Sequence, residues 1–169
     1  LTNVDYAIID DVDDDGDVDI LTFYGLGSFV EWHQNMGVEL YANPDTMDFQ
    51  RTYRCWGGVM ESDSSNVISL NINCPWGKSN FSEKDIEHTG STMLFFDVDG
   101  DGLKDLFVGD TDYPNLILLK NGGTKDSAHF ISQTQYFPDN TKSVDLYSIP
   151  LPAFIDINSF IRHTINSVL

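Results

Sequence analysis

The stretch Asp97-Val98-Asp99-Gly100-Asp101-Gly102-Leu103-Lys104-Asp105, set between Leu94-Phe95-Phe96 and Leu106-Phe107-Val108, reads as a metal loop held between two β-strands. Carboxylates at its positions 1, 3, 5 and 9 put four hard oxygen donors on one side of a tight turn, and Gly102 at position 6 lets the backbone reverse there. The carbonyl of Leu103 at position 7 can add a fifth oxygen. Aspartates packed this densely repel one another unless a cation sits among them, so the loop makes physical sense around a divalent ion. An all-oxygen donor set of this kind suits Ca2+.

The loop occurs twice. Asp11-Val12-Asp13-Asp14-Asp15-Gly16-Asp17-Val18-Asp19 has the same spacing, again with glycine at position 6, between Ala7-Ile8-Ile9 and Ile20-Leu21-Thr22-Phe23. The offset, 97 minus 11, is 86, and it also carries Asn35 onto Asn121 and Gly37 onto Gly123, so the likeness extends beyond the loop itself. Phe154-Ile155-Asp156-Ile157-Asn158 echoes Phe95-Phe96-Asp97-Val98-Asp99 at an offset of 59, 156 minus 97. That echo fails after Asn158, where Phe160 and Thr164 replace the later acids, so no metal is expected there.

At 169 residues, with 41% apolar and 12% aromatic content, the chain is long and apolar enough for a folded domain with a real core. The net charge of −18 is concentrated in the loops and not in a tail, and two divalent ions bring it only to −14. That residual negative potential argues against nucleic-acid and anionic-membrane partners. Nothing resembles a membrane span or a signal peptide, and the start at Leu1 is the expectation of an internal piece or a processed product. Cys55 and Cys74 can close a ring as a disulfide or stand as two buried thiols; calcium loops, which suit the calcium-rich outside of a cell, favour the disulfide.

In chain order, residues 6 to 41 read as four antiparallel strands: Tyr6 to Ile9, Asp19 to Tyr24, Phe29 to Gln34 and Val38 to Tyr41, with no helix required. Ile8, Ile20, Phe23, Phe29, Val30, Trp32, Leu40 and Tyr41 are the expected buried set. Residues 45–90 form an irregular insertion carrying both cysteines, with Val67 to Ile72 as a strand and Ser82-Glu83-Lys84-Asp85 as a weak helix cap. Residues 91–150 repeat the plan with Met93 to Phe96, Asp105 to Gly109, Leu116 to Lys120 and Ala128 to Ser132, and 151–169 begin a third, divergent or truncated unit.

With loop, flanks and turn assembled, the chain resembles the FG-GAP and VCBS repeat families, on Phe95 to Gly109 followed by Leu118-Leu119-Lys120-Asn121-Gly122-Gly123, and on the parallel stretch Ile9 to Gly37. The resemblance implies an all-β fold in which residues 1–44 and 91–150 are four-stranded antiparallel blades of an integrin-like β-propeller, with calcium in the first hairpin loop of each. It implies side-chain ligation by Asp11, Asp13, Asp15 and Asp19 with the Asp17 carbonyl, and by Asp97, Asp99, Asp101 and Asp105 with the Leu103 carbonyl, two structural Ca2+ sites in all. The chain is too short to close a propeller alone, which makes it a portion of a longer one. An EF-hand is a poorer match, because position 12 holds Thr22 and Val108 where it needs glutamate.

The reading that follows is a secreted or cell-surface binding or adhesion module, whose partners are the remainder of a larger chain and a protein or glycan ligand, or an export apparatus. A polysaccharide-active enzyme on the same scaffold is the rival, resting on Glu31, Trp32 and His33 in one strand and on Trp56 and Trp76 as surfaces for sugar stacking. In a strand Trp32 faces away from Glu31 and His33, which suits a core tryptophan beside a solvated glutamate better than catalysis. A passive spacer is the third reading. Asn80-Phe81-Ser82 is a glycosylation acceptor only in a eukaryotic secretory setting. His88, His129 and His163 stand apart, so no transition-metal site is expected.

Overall fold

The computed structural model describes residues 5–24, 28–62, 65–74 and 90–155. The first four strands are β1 (Ile8–Asp10), β2 (Asp19–Phe23), β3 (Val30–Asn35) and β4 (Phe49–Tyr53), with a five-residue helix α1 (Gly37–Tyr41) between β3 and β4. They form one antiparallel sheet in the order of the chain. A two-stranded ribbon, β5 (Met60–Glu61) and β6 (Ile68–Ser69), follows. A second four-stranded sheet is built in the same manner from β7 (Ser91–Phe96), β8 (Asp105–Asp110), β9 (Leu116–Asn121) and β10 (Phe130–Thr134). The described chain is all-β, and no described sheet closes on itself.

Each sheet begins with the hairpin that carries an acidic loop, β1–β2 joined by residues 11–18 and β7–β8 by residues 97–104. Along β2 the burial alternates, with Asp19, Leu21 and Phe23 inside, while all six residues of β8 are buried. A strand covered on both faces needs the near-continuous apolar run that Leu106-Phe107-Val108 supplies. The first strands of the two sheets lie side by side and parallel at Tyr6 and Thr92, where the Tyr6 N–H donates to the Ser91 carbonyl at 2.9 Å.

One core serves both sheets, joining Leu21, Phe23 and Trp32 to Leu106, Ile117 and Leu119. The segment after β4 enters this core: the Cys55–Cys74 disulfide is formed, with its Cα atoms 5.7 Å apart, and Trp56 beside it packs edge-on against Phe95 and Phe130 at centroid distances of 5.0 and 5.6 Å. Gly57 (φ +70°) is required there, because a Cβ would lie 2.4 Å from the Phe130 ring. Truncating a buried aromatic of this size typically costs about 3–5 kcal/mol.

Several sequence expectations are corrected. Val38 to Tyr41 is helix and not strand, and the fourth strand of the first sheet is Phe49–Tyr53, inside the stretch read as an insertion. The cause is local: the Val38 N–H donates to the Asp17 carboxylate at 3.0 Å, and Ala42, in the left-handed region at φ 50°, ends the turn with hydrogen bonds back to Gly37 and Val38. Leu40 and Tyr41 are consequently exposed, while Ile8, Phe23, Phe29, Val30 and Trp32 are buried as expected and Ile20 is half-buried. The strand expected over Val67 to Ile72 shrinks to Ile68–Ser69, since Asn71 turns into the left-handed region. Phe154 and Ile155 are not in a strand, although Phe154 stacks on Phe96 at 4.2 Å. The rest of the third unit, with Asp156 and Asn158, lies outside the described residues, as do Trp76, Asn80, Ser82 to Asp85, His88 and His163.

Candidate metal centre

The two loops share most of their hydrogen bonds at the offset of 86, and the second adds one from the Gly100 N–H to Asp97 Oδ1 at 2.7 Å. In the first, the Asp15 and Gly16 N–H groups donate to the two oxygens of Asp11, each at 3.1 Å; in the second, Asp101 and Gly102 donate to Asp97 at 3.2 and 2.9 Å. The Asp17 N–H donates to Asp15 Oδ1, and the Leu103 N–H to Asp101 Oδ1, both at 2.9 Å. The position-9 aspartates are fully buried, and each ties its loop to the end of the third strand. Asp19 accepts from Val12 and Asn35 at 3.1 and 2.7 Å, and Asp105 from Val98 and Asn121 at 3.2 and 2.9 Å. Gly16 and Gly102 adopt φ +101° and +86°, the left-handed geometry that position 6 demands.

The same register explains the paired Asn and Gly. Asn35 Oδ1 accepts the Asp48 N–H at 2.9 Å, and Asn121 Oδ1 accepts those of Gly123 and His129 at 3.0 and 3.1 Å, so each asparagine fastens the chain leaving its third strand. A Cβ on Gly37 would lie 2.6 Å from the Thr46 carbonyl, and one on Gly123 would lie 2.3 Å from that of Ser127.

The expected ligands are brought together in part. Asp11, Asp13 and Asp15 place carboxylate oxygens within 4.8 Å of one another, as do Asp97, Asp99 and Asp105. Asp101 and Asp19 stand outside these closest groups, each still bound into its own loop. A third group, not read from the sequence, joins Asp15 and Asp17 to Glu39 of α1. Asp17, cast as a carbonyl donor, also has a side chain 1% exposed beneath that helix.

The loops differ in what faces the carboxylates. In the second, the Lys120 ammonium contacts Asp99, lies 3.2 Å from Asp105 and 3.8 Å from Asp101, and so places a positive charge among three carboxylates. Burial opposes the charge on Lys120, but Asp99 and Asp105 outweigh it and hold its pKa above the usual lysine value; Lys120 in turn lowers that of Asp99. The counterpart 86 residues earlier is Gln34, whose neutral amide donates to Asp13 at 2.9 Å. Lys104 and Lys125 approach the first loop but pair with its rim, at Asp10 and Asp14.

The consequence is electrostatic frustration in the first loop. Asp13 Oδ1, Asp15 Oδ2 and Asp17 Oδ1 are buried with no hydrogen-bond donor. Burial and then the neighbouring Asp15 charge push the Asp13 pKa up to about 6, burial pushes Asp19 up to about 7, and burial raises Asp17. Buried acceptors without donors are rare in folded proteins, and hard cations satisfy such oxygens without any hydrogen-bond donor. The residues present fit such an ion.

Compared with protein-family models, curated proteins and solved structures, the chain matches none. The site is therefore read from its own geometry.

Among the described residues, those marked for sugars or catalysis do not form an open site. Trp56 is 4% exposed with its ring enclosed by Phe95 and Phe130, which leaves no face for stacking on a glycan. Trp32 is buried and stacked on Tyr53, as a core tryptophan should be. Glu31, expected in solvent, is buried and paired with Arg51 at 3.0 Å and His33 at 3.5 Å, because β4 covers it from the next strand. What sequence reasoning missed at the candidate metal centre was Gln34, Glu39 and Lys120. Gln34 and Lys120 had a signal, since each precedes one of the paired asparagines by one residue.

Proposed function

We propose that the chain is a calcium-stabilised extracellular binding module, a portion of a larger propeller of FG-GAP or VCBS type in which the metal is structural. The observation that carries it is the set of three buried, donorless carboxylate oxygens at the first loop. Calcium is preferred over transition metals because the donor set holds only oxygen, with no imidazole or thiolate among the described acidic groups. The cysteines are consumed by the disulfide, which fits an oxidising compartment. No helix among the described residues is long and apolar enough to cross a membrane.

The propeller part of the reading draws support from two features. The first strands of the two sheets run parallel and adjacent, as inner strands of neighbouring blades around an axis must. The outer strand β4 is exposed along all five residues, which suits a blade rim. Partners would be protein or glycan surfaces meeting the loops, with the metal holding those loops in shape.

Thermal unfolding of metal-stripped protein titrated with Ca2+, and separately with Mg2+, tests the reading. A binding ion raises the midpoint by mass action, by about 2.7 kcal/mol of stability at a hundredfold excess over its dissociation constant. Equal midpoints with and without Ca2+ would remove the basis for a metal-stabilised module.

A further inference from the structure

Beyond one ion per loop, we infer that the first loop holds a second divalent cation, bound by Asp15, Asp17 and Glu39 and sharing the Asp15 carboxylate with the ion between Asp11, Asp13 and Asp15. This rests on the calcium reading and adds a site that the nine-residue loop pattern does not contain, because Glu39 comes from α1. The three residues place carboxylate oxygens within 4.8 Å of one another. The Asp17 carboxylate beneath α1 is buried with one oxygen left without a hydrogen bond. Its Oδ2 accepts the Val38 N–H at 3.0 Å, which leaves Oδ1, buried and without a donor. Asp15 Oδ2 is buried and donorless as well, while Asp15 Oδ1 is occupied by the Asp17 N–H.

Charge balance favours the second ion. Asp11, Asp13, Asp15, Asp17, Asp19 and Glu39 set six carboxylates around the first loop, so one divalent ion leaves four of those charges unbalanced. The second loop faces four carboxylates with one ion and the Lys120 ammonium, leaving a single negative charge. Among the described residues no lysine or arginine pairs with Asp15, Asp17 or Glu39; the contact made to Glu39 is from the neutral Gln34 amide, which also reaches Asp13. Gln34 thus spans the two ion positions from the side, aligning Asp13 with one and Glu39 with the other.

The position is accessible and held in place. A cleft of about 390 Å³ opens beside it, lined by Asp13, Asp15, Gln34, Glu39 and Tyr53 among others. Gly37 lets α1 begin against Asp17, since a Cβ there would lie 3.1 Å from Asp17 Oδ2 as well as against two carbonyls. An ion with Glu39 as its exposed ligand exchanges more readily than one enclosed by the loop, so the second site is the weaker of the pair.

Native mass spectrometry and calorimetric titration of the full chain with CaCl2, comparing wild type with Glu39→Gln and Asp17→Asn, decide the matter. Glu39 is exposed, so its substitution leaves the core untouched. Glu39→Gln is expected to lose one bound calcium per chain, the weaker one, and to keep the calcium-dependent rise in unfolding midpoint contributed by the loops. Asp17→Asn is expected to lose the same equivalent. If Glu39→Gln binds as many ions as wild type with unchanged affinities, the second site is overturned while the loop sites stand. If wild type binds no calcium, both the second site and the proposed function fall.

Discussion

Asp19→Asn isolates the role of the buried position-9 carboxylate. In the metal-free protein Asp19 is fully buried with its pKa pushed up to about 7 from 3.8, so holding its charge at pH 8 costs on the order of 4 kcal/mol at 1.36 kcal/mol per pH unit. Asparagine removes that charge and keeps one oxygen for the Asn35 N–H, now at 2.7 Å. Its amide must then face the Val12 N–H, losing an acceptor worth about 1–3 kcal/mol. The two effects oppose each other, and the larger charge term wins: in metal-stripped buffer the variant should match or exceed wild type. Calcium reverses the ranking, because the ion neutralises the wild-type carboxylate and the variant has lost a charged donor. At a hundredfold excess over the dissociation constant the first loop adds about 2.7 kcal/mol. For a chain of this size that is about 5–10 °C of midpoint, at roughly 2–4 °C per kcal/mol. Differential scanning calorimetry of both proteins, with and without Ca2+, reads all four values. An undiminished calcium increment in Asp19→Asn would refute the assignment of the first loop, and a variant that collapses in metal-free buffer would refute the charge argument.

Lys120→Gln recreates in the second loop the neutral amide that Gln34 provides in the first. Removing an ammonium that competes with the ion should tighten calcium binding there by about tenfold, equivalent to roughly 1.4 kcal/mol, while lowering metal-free stability; titration calorimetry showing weaker or unchanged binding would contradict the competition. The pH response should change sign with metal. Asp13 and Asp19 have pKa values raised by folding to about 6 and about 7, so their contribution to stability is fully present below about 3.8 and is lost as the pH rises through those values, and burial shifts Asp17 in the same direction. Metal-stripped protein should therefore melt higher at pH 5 than at pH 8, whereas calcium-loaded protein should melt lower at pH 5, where protons compete for the same oxygens; a metal-free midpoint that falls on acidification over this range would count against the buried-charge account.

The hairpin and its loop were legible because their logic is local. Aspartates at positions 1, 3, 5 and 9 with glycine at 6 specify the turn by sterics and charge within nine residues, and the apolar runs on either side specify the strands, so β1, β2, β7 and β8 fall close to where the sequence placed them. The run Val38-Glu39-Leu40-Tyr41 was ambiguous for the opposite reason. Four residues are too few to distinguish strand from helix by periodicity, and the decision fell to the Asp17 carboxylate, which takes the Val38 N–H and starts a helix where a strand was expected. The true fourth strand, Phe49–Tyr53, is exposed along its length and so carries no buried face to mark it in the sequence.

An all-β chain, two acidic loops at a fixed offset, a cysteine pair able to bridge and a net charge of −18 could all be read from the residues in order. Only the tertiary structure decided which counter-charge each loop receives. Strand β9 brings Lys120 to the second loop, β3 brings Gln34 to the first, and α1 adds Glu39. Ligand spacing is encoded by neighbours in the chain, but the field at a carboxylate depends on every charge within a few ångströms, and those charges arrive through strand pairing across 15 to 21 residues of sequence.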